Sequence, residues 1–287
     1  MSLKIQDYNL TGKINDKKVE HDQCVKKDSG CFISGCPNSI IIHYTAGSTM
    51  SSAINTLKNP DIKASAHLII DRDGSATQLI DFNKIAWHAG RSRWRGYTGM
   101  NSYSLGIELV NSGELTRSGN HYISWFSKRY EENDVIEAVH RNEDTPSFWH
   151  LYTQKQIEAS FDICRLLYLT YPTIKYILGH EEIAPRRKKD PGPAYPLDRL
   201  RDQVFIGRRD EINNDDQPED EHKEDAFTNS AKVTANLLNI RRRPSINSQV
   251  ISEPLRFGQP VEILDKKGHW CKVRYYEEGW VHKDYIR

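Results

Sequence analysis

Between Asp210 and Asp225 the chain reads DEINNDDQPEDEHKED, nine Asp or Glu against one Lys. Such a run repels itself and has no apolar face to bury, so it cannot sit inside a core. It is expected to be an acidic linker over 208–227, dividing the 287 residues into a large N-terminal part and a small C-terminal one. The whole chain carries 40 Lys and Arg against 39 Asp and Glu, a net charge of +1, so no global field draws it to nucleic acid. Mean hydropathy is −0.70, and no run approaches the ~20 apolar residues of a membrane span. The opening residues, MSLKIQDYNLTGKIND, show neither an apolar h-region nor a small-residue cleavage site. The expectation is a chain that is cytoplasmic as synthesised, reaching the periplasm or cell wall, if it acts there, by a non-Sec route.

Within the large part, short apolar runs alternate with one long helical pattern. SIIIHY, Ser39 to Tyr44, is rich in β-branched residues and reads as a buried strand ending near His43. SAHLIIDRDGSATQLI reads as two strands around Asp71-Arg72-Asp73-Gly74, a hairpin with Gly closing its turn. SLGIELV alternates, with Leu105, Ile107 and Leu109 on one face and Gly106, Glu108 and Val110 on the other. Thr153-x-x-Gln156 has the form of a capping box and opens a helix. Ile157, Phe161, Cys164 and Leu167 or Tyr168 keep its spacing, and Pro172 stops it. TIKYILG is a further strand, ending in His180. The fold class is therefore α/β, a mixed central β-sheet flanked by helices over 39–207, after an N-terminal extension of 1–38. Residues 115–150 fit least well; they read as a long irregular insertion, placed to form the wall of a groove. From 228 to 287 the chain is all short strands with turn signals every 8–12 residues, which suggests a small all-β barrel. Arg241-Arg242-Arg243 within it reads as a solvated turn rather than a phosphate site.

Five cysteines, an odd number in a long chain, do not suggest a disulfide framework. His21, Cys24, Cys31 and Cys36 have no common zinc-ligand spacing, so a local disulfide or plain thiols are the favoured readings. Cys164 falls on the buried face of the helical pattern.

The chemistry lies in a set of residues from separate segments. His43 and His180 end two strands, and strand ends converge on one edge of an open sheet, where ligands bind. Asp190 sits in KKDPGP, where Pro191 biases it toward extended backbone and Pro193 keeps the loop out of a helix. Two histidines and a carboxylate form a common three-ligand set for catalytic zinc, with a position left for water. Glu108, a carboxylate on a core strand, needs a partner or a task. Lys188, two residues before Asp190, would face the same side and could offset a developing oxyanion. Taken singly each has an ordinary reading: a strand-end histidine, a turn carboxylate, half an ion pair, a solvated lysine. Only the set points to a zinc hydrolase.

The blocks IIIHYTAGS, SAHLIIDRDG, AWHAGRSRW, NSYSLGIELVN and GHEEIAPRRKKDPGPAYP occur in this order between Ser39 and Arg201. Together they resemble the N-acetylmuramoyl-L-alanine amidase family, amidase type 2, which includes phage T7-type lysozyme, the intracellular amidase of wall recycling and animal peptidoglycan recognition proteins. The resemblance implies a Zn2+-dependent cut of the amide between the lactyl group of N-acetylmuramic acid and L-alanine, in peptidoglycan or muropeptides. It puts the metal ligands on His43, His180 and Asp190, and the catalytic residues on Glu108 and Lys188. Ala66 stands where phage-type members have tyrosine, and Asp190 where phage and animal enzymes have cysteine, so the recycling branch is the nearer one. The competing readings are a non-catalytic peptidoglycan-binding protein and another metallohydrolase on the same scaffold.

In the family, Trp87-His88 lies beside the site, so Trp87 and His88 are candidates for substrate binding, as is Trp94 for stacking on a sugar. His67 reads as structural, and Asn101 as a partner for backbone groups. Arg186-Arg187 is either solvated or turned to the peptide's carboxylates. LNIRRRPSINSQVI, GQPVEIL, GHWCKVRY and EGWVHKDYI resemble a bacterial SH3-type domain. That implies wall-peptide or protein binding through exposed aromatics such as Trp270, Tyr275, Tyr276 and Trp280. The expected partners are peptidoglycan or a muropeptide, without nucleic acid or a membrane span, and a delivery machine or immunity protein if the chain is an exported effector.

Overall fold

The structure is a computed structural model that describes residues 3–212, 230–233, 237–245, 248, 250–251, 255–256, 260–267, 270–274 and 278–282. The chain forms two compact units, Met1–Ile212 and Asn213–Arg287.

The first unit is built on a six-stranded mixed sheet. Its order is Tyr176–Gly179, Ser39–Tyr44, Ser104–Leu109, Leu68–Ile70, Ala76–Gln78 and Glu20–His21. The first four strands are parallel, and the Leu68–Ile70 and Ala76–Gln78 strands form the hairpin expected at Gly74. Alternation then divides the side chains between two cores. Ile40, Ile42, Leu105, Ile107 and Leu109 meet helices α2 (Gln154–Thr170) and α4 (Leu197–Ile212) through Ile163, Cys164, Leu167, Leu200 and Val204. On the opposite face Ile69 and Val110 pack on helix α1 (Met50–Lys58), and Ile41 and Leu178 pack on Ala89 and Met100. Each such aliphatic side chain contributes about 1.5–3 kcal/mol relative to exposure. This second face carries the site.

Several expectations change. Residues 1–38 are woven into the unit: Leu10, Ile14 and Val19 are core residues, and Glu20–His21 is the sheet's edge strand. Thr153 caps α2 by accepting the Gln156 N–H at 3.2 Å. The return bond of a capping box is absent, because the buried Gln156 amide donates across to the Ile70 and Val110 carbonyls at 3.2 and 3.0 Å. The insertion is regular: Arg129–Tyr130, His121–Ile123, Glu114–Ser118, Pro146–His150 and Val135–Val139 form a five-stranded antiparallel sheet in that order. Its short strands keep most polar side chains in solvent, which hid their alternation. Helix α4 runs on to Ile212, so the boundary at 208 falls inside it, and Asp210 and Glu211 are helical. The linker from residue 213 lies outside the described residues. All cysteines with described surroundings are free thiols, Cys24 and Cys164 buried and Cys31 exposed. No helix of the described residues is long and apolar enough to cross a membrane.

The second unit has an antiparallel sheet of Ser230–Lys232, Pro260–Lys267, Trp270–Arg274 and Glu278–His282, with a separate pair, Leu237–Leu238 and Leu255–Arg256. Val233, Ile240, Leu255, Cys271 and Val273 fill its core. Arg241 is buried, its guanidinium donating to the Ser248 carbonyl at 2.9 Å, so this residue of the triplet is not solvated. Tyr275, Tyr276 and the side chain of Trp280 lie outside the described residues.

Candidate active site

Three parallel strands bring the site together. Glu108 is in register with His43, and Gly179 with Ile42, so all three strands end at one edge. His180 does not end its strand. It is the first residue of a short helix, α3 (His180–Ile183), whose N-cap is Gly179. Asp190 returns on the following loop, where its carbonyl accepts the Glu181 N–H at 2.9 Å and the Asp190–Pro191 peptide is cis. The inserted sheet braces this loop. Buried His140 bonds the Glu181 carboxylate at 2.7 Å, and that carboxylate also accepts the Gly192 N–H at 3.1 Å. Tyr152 donates its hydroxyl to the Pro191 carbonyl at 2.8 Å.

The result is a buried triangle. His43 Nδ1 lies 3.0 Å from His180 Nδ1 and 2.8 Å from Asp190 Oδ2, and His180 Nδ1 lies 2.9 Å from the same oxygen. The other ring nitrogens settle what these atoms offer. His88 Nε2 donates to the Ser104 carbonyl at 3.1 Å, which leaves His88 Nδ1 to accept from His43 Nε2 at 3.0 Å. His180 Nε2 donates to the Ala89 carbonyl at 3.1 Å. Both histidines therefore turn an unprotonated Nδ1 inward, toward a carboxylate oxygen. Three lone pairs converge with no proton among them, and a cation is what reconciles them. Among the described residues this is the one group of three or more His, Cys, Asp or Glu able to hold a metal. Two imidazoles and a carboxylate fit zinc's preference, and each ring's outer N–H bond fixes its tautomer.

Electrostatics agree with that arrangement. Burial, followed by neighbouring His180, lowers His43 to about 4, so its ring is neutral near pH 7. Glu108 goes the other way: burial, and then the Asp190 charge, raise it to about 8, against the lowering pull of Lys188. Its Oε2 is buried without a hydrogen-bond partner among the described residues. A carboxyl so placed can hold or release a proton near neutrality.

The cleft over these groups has a volume of about 510 Å3 and is lined by His43, His180, Asp190, Glu108, Lys188 and Trp87, among others. The structure thus places together the candidate ligands, Glu108, Lys188 and Trp87. Trp87 is fixed by its indole N–H, which donates to the Ser29 hydroxyl at 2.7 Å. His88 also lines the cleft, but both its nitrogens are engaged, which makes it a support for His43 rather than a free substrate contact. Trp94 is not among the lining residues. Its ring packs edge-on against Tyr176, at 6.3 Å, beside the Ile41–Met100 cluster, because the Arg93–Trp94 strand turns it inward. His67 is structural, accepting the Gly106 N–H at 2.9 Å and bonding the Lys84 carbonyl at 2.8 Å, and Asn101 accepts the Ala89 N–H at 2.7 Å. Arg187 donates to the Ala89 and Arg91 carbonyls at 2.8 and 2.9 Å. Sequence reading missed Trp125 and Phe126, which border the neighbouring cavity with Glu108. Their segment was read only as a groove wall, and nothing local marks its tip.

Residues 34–193, more than half of the chain, match the N-acetylmuramoyl-L-alanine amidase family, and residues 236–287 match the bacterial SH3 domain. The chain is 32% identical over 152 residues to the 1,6-anhydro-N-acetylmuramyl-L-alanine amidase AmpD of Salmonella typhimurium (strain SL1344), covering 53% of this chain and 63% of that protein. It is 30% identical over 171 residues to the N-acetylmuramoyl-L-alanine amidase AmiD of Escherichia coli (strain K12), covering 57% of this chain and 52% of that protein. It therefore spans less than two thirds of the length of these curated relatives. Among solved structures, an AmpD crystal structure is similar with a TM-score of 0.46 at 24% identity, covering 65% of this chain and 94% of that one. The chain belongs to the N-acetylmuramoyl-L-alanine amidase family, with a bacterial SH3 domain at its C-terminal end.

Proposed function

We propose that this family member is a zinc-dependent N-acetylmuramoyl-L-alanine amidase, hydrolysing the amide between the lactyl group of N-acetylmuramic acid and L-alanine. The convergence of His43 Nδ1, His180 Nδ1 and Asp190 Oδ2, with no proton between them and beside an unpartnered Glu108 oxygen, carries this reading. His43, His180 and Asp190 would hold the metal. When bound, zinc supplies Lewis acidity toward the scissile carbonyl and toward water. The chain's own residues do the rest. Glu108 takes a proton from the attacking water as its oxygen bonds to the lactyl carbonyl carbon. Lys188 sets a positive charge near the oxygen on which negative charge develops. As the carbon–nitrogen bond breaks, Glu108 gives its proton to the departing amine of L-alanine. Buried His88 and Ala89 hold the two imidazoles in the tautomers this needs.

The curated relatives are named 1,6-anhydro-N-acetylmuramyl-L-alanine amidase and N-acetylmuramoyl-L-alanine amidase, which supports a muropeptide or wall fragment as substrate here. The SH3 domain is read as a tether to wall peptide. The test is peptide release from purified sacculi and from 1,6-anhydro-muropeptide, followed by mass spectrometry, with zinc and after chelation. Release with zinc and none without is the expected result. A zinc-loaded protein that releases no peptide from either substrate sinks the proposal.

A further inference from the structure

An exposed tryptophan borders the cavity beside the cleft, unused by the chemistry above. It sits at the tip of the inserted sheet, where His121–Ile123 and Arg129–Tyr130 are joined. Buried Ser124 pins that turn: its N–H donates to the Lys128 carbonyl at 2.9 Å and its hydroxyl accepts the Lys128 N–H at 3.0 Å. Its carbonyl accepts the Ser127 N–H at 2.9 Å. At the tip Trp125 is 77% exposed. Its Nε1 nevertheless donates to the Ala46 carbonyl at 2.8 Å, in the loop that leaves the His43 strand. Phe126 meets it edge-on, with ring centroids 5.5 Å apart. The indole is thus wet on its face and fixed at its edge, a platform rather than a loose surface residue.

The platform borders a cavity of about 370 Å3 that shares Glu108, Thr45, Ala46 and Leu57 with the catalytic cleft. Thr45, Ser48, Ser52 and Thr56, all hydroxyl-bearing, are among its lining residues, and Glu108 is the one ionisable carboxyl there. Arg187 and Lys188 line the catalytic cleft and not this cavity, which gives the combined site a cationic end. A substrate that is a sugar joined to an acidic peptide has the matching polarity. A pyranose offers hydroxyls to hydroxyls and a C–H face to the negative face of an indole. Peptide carboxylates favour the cationic end.

We propose that Trp125 and this cavity form the subsite for the sugar ring of the substrate, an N-acetylhexosamine, with the peptide running toward Arg187 and Lys188. The proposal rests on the amidase reading and assigns the orientation of substrate in that site. The probes are N-acetylmuramyl-L-alanyl-D-isoglutamine, the sugar-free lactoyl-L-alanyl-D-isoglutamine, and free N-acetylmuramic acid, each with the full zinc-loaded chain. Trp125→Ala is expected to raise KM about tenfold for the sugar-bearing amide, with no comparable rise for the lactoyl amide, and Trp125→Phe to recover part of it. In NMR spectra the Trp125 indole N–H signal, assigned by its loss in Trp125→Ala, is expected to shift with N-acetylmuramic acid and not with L-alanyl-D-isoglutamine. An unmoved indole signal, or equal KM changes for both amides, overturns the subsite. If the wild type cleaves neither these amides nor sacculi and 1,6-anhydro-muropeptide, the amidase reading fails, and the indole response to free sugar still decides the subsite separately.

Discussion

His43 Nε2 lies 3.0 Å from His88 Nδ1, and this contact determines which nitrogen of His43 faces the cleft. His88 has already given its own N–H to the Ser104 carbonyl, so it can only accept. A main-chain carbonyl thereby sets, through two rings, the lone pair that His43 turns inward.

Removing that relay should weaken metal binding without removing a ligand. His88→Ala is expected to lower zinc affinity about 10–100-fold, measured by titration against a competing chelating dye. His88→Gln, whose side-chain oxygen can accept the same bond, should lose less. Equal affinity in wild type and His88→Ala would mean that the strand alone orients His43.

The same ring explains a glycine. Gly106 shares the Glu108 face of its strand, and a Cβ built there would lie 2.3 Å from His88 Cγ. Both sit in a packed region, so Gly106→Ala must displace the ring or the strand. A destabilisation of about 1–3 kcal/mol is expected from overpacking, read as a lower Tm, together with weaker zinc binding. A variant that lost stability but bound zinc normally would show that the strand yields and the ring does not.

These couplings also show where sequence reading ends. The strands leading to His43 and His180, the alternation that isolates Glu108 and the Asp190 that precedes a proline are local patterns, and they are legible without a structure, although His180 opens a helix rather than ending its strand. Partners distant in the chain are not. His88 bonds a residue 45 positions away, and its motif carries no sign of that. Trp87 and Trp94 occupy similar aromatic, charged surroundings in sequence, yet one lines the cleft and the other packs on Tyr176. Trp125 becomes informative only when folding brings it to Ala46. Leu10 and Ile14 lie in strands too short to display a period, and Val19 lies between two two-residue strands, although each fills the main core.

Adjacent lysines should separate by function. Lys189 is bound to Glu114 at 2.8 Å and Glu143 at 2.5 Å, which joins the ligand loop to the inserted sheet. Lys188 lines the cleft and acts electrostatically on both His43 and Glu108. Lys188→Met is expected to lower kcat about 10²–10³-fold with zinc still bound, the range for loss of one oxyanion stabiliser. Lys189→Met should appear chiefly as a lower Tm. If Lys188→Met retains full kcat, its charge is not used in the transition state.

Glu108 gives the pH dependence. Burial raises its carboxyl from an ordinary 4.5 to about 8, so between those values the folded metal-free protein holds a proton that the unfolded chain has released. Stability linked to this group is complete below the unfolded value and is lost as pH rises through about 8. Glu108→Gln cannot ionise and escapes that loss. The Tm of the metal-free variant should therefore gain on metal-free wild type from about pH 5 to about pH 9. Zinc places positive charge nearby and favours the carboxylate, so loading should move the transition to lower pH. With zinc, kcat/KM should rise with pH along the same shifted titration, and Glu108→Gln should lack that limb along with most activity. A Tm difference that stays constant with pH would place the carboxyl at an ordinary value, and Glu108 would then lack the near-neutral proton exchange that its role as base and acid requires.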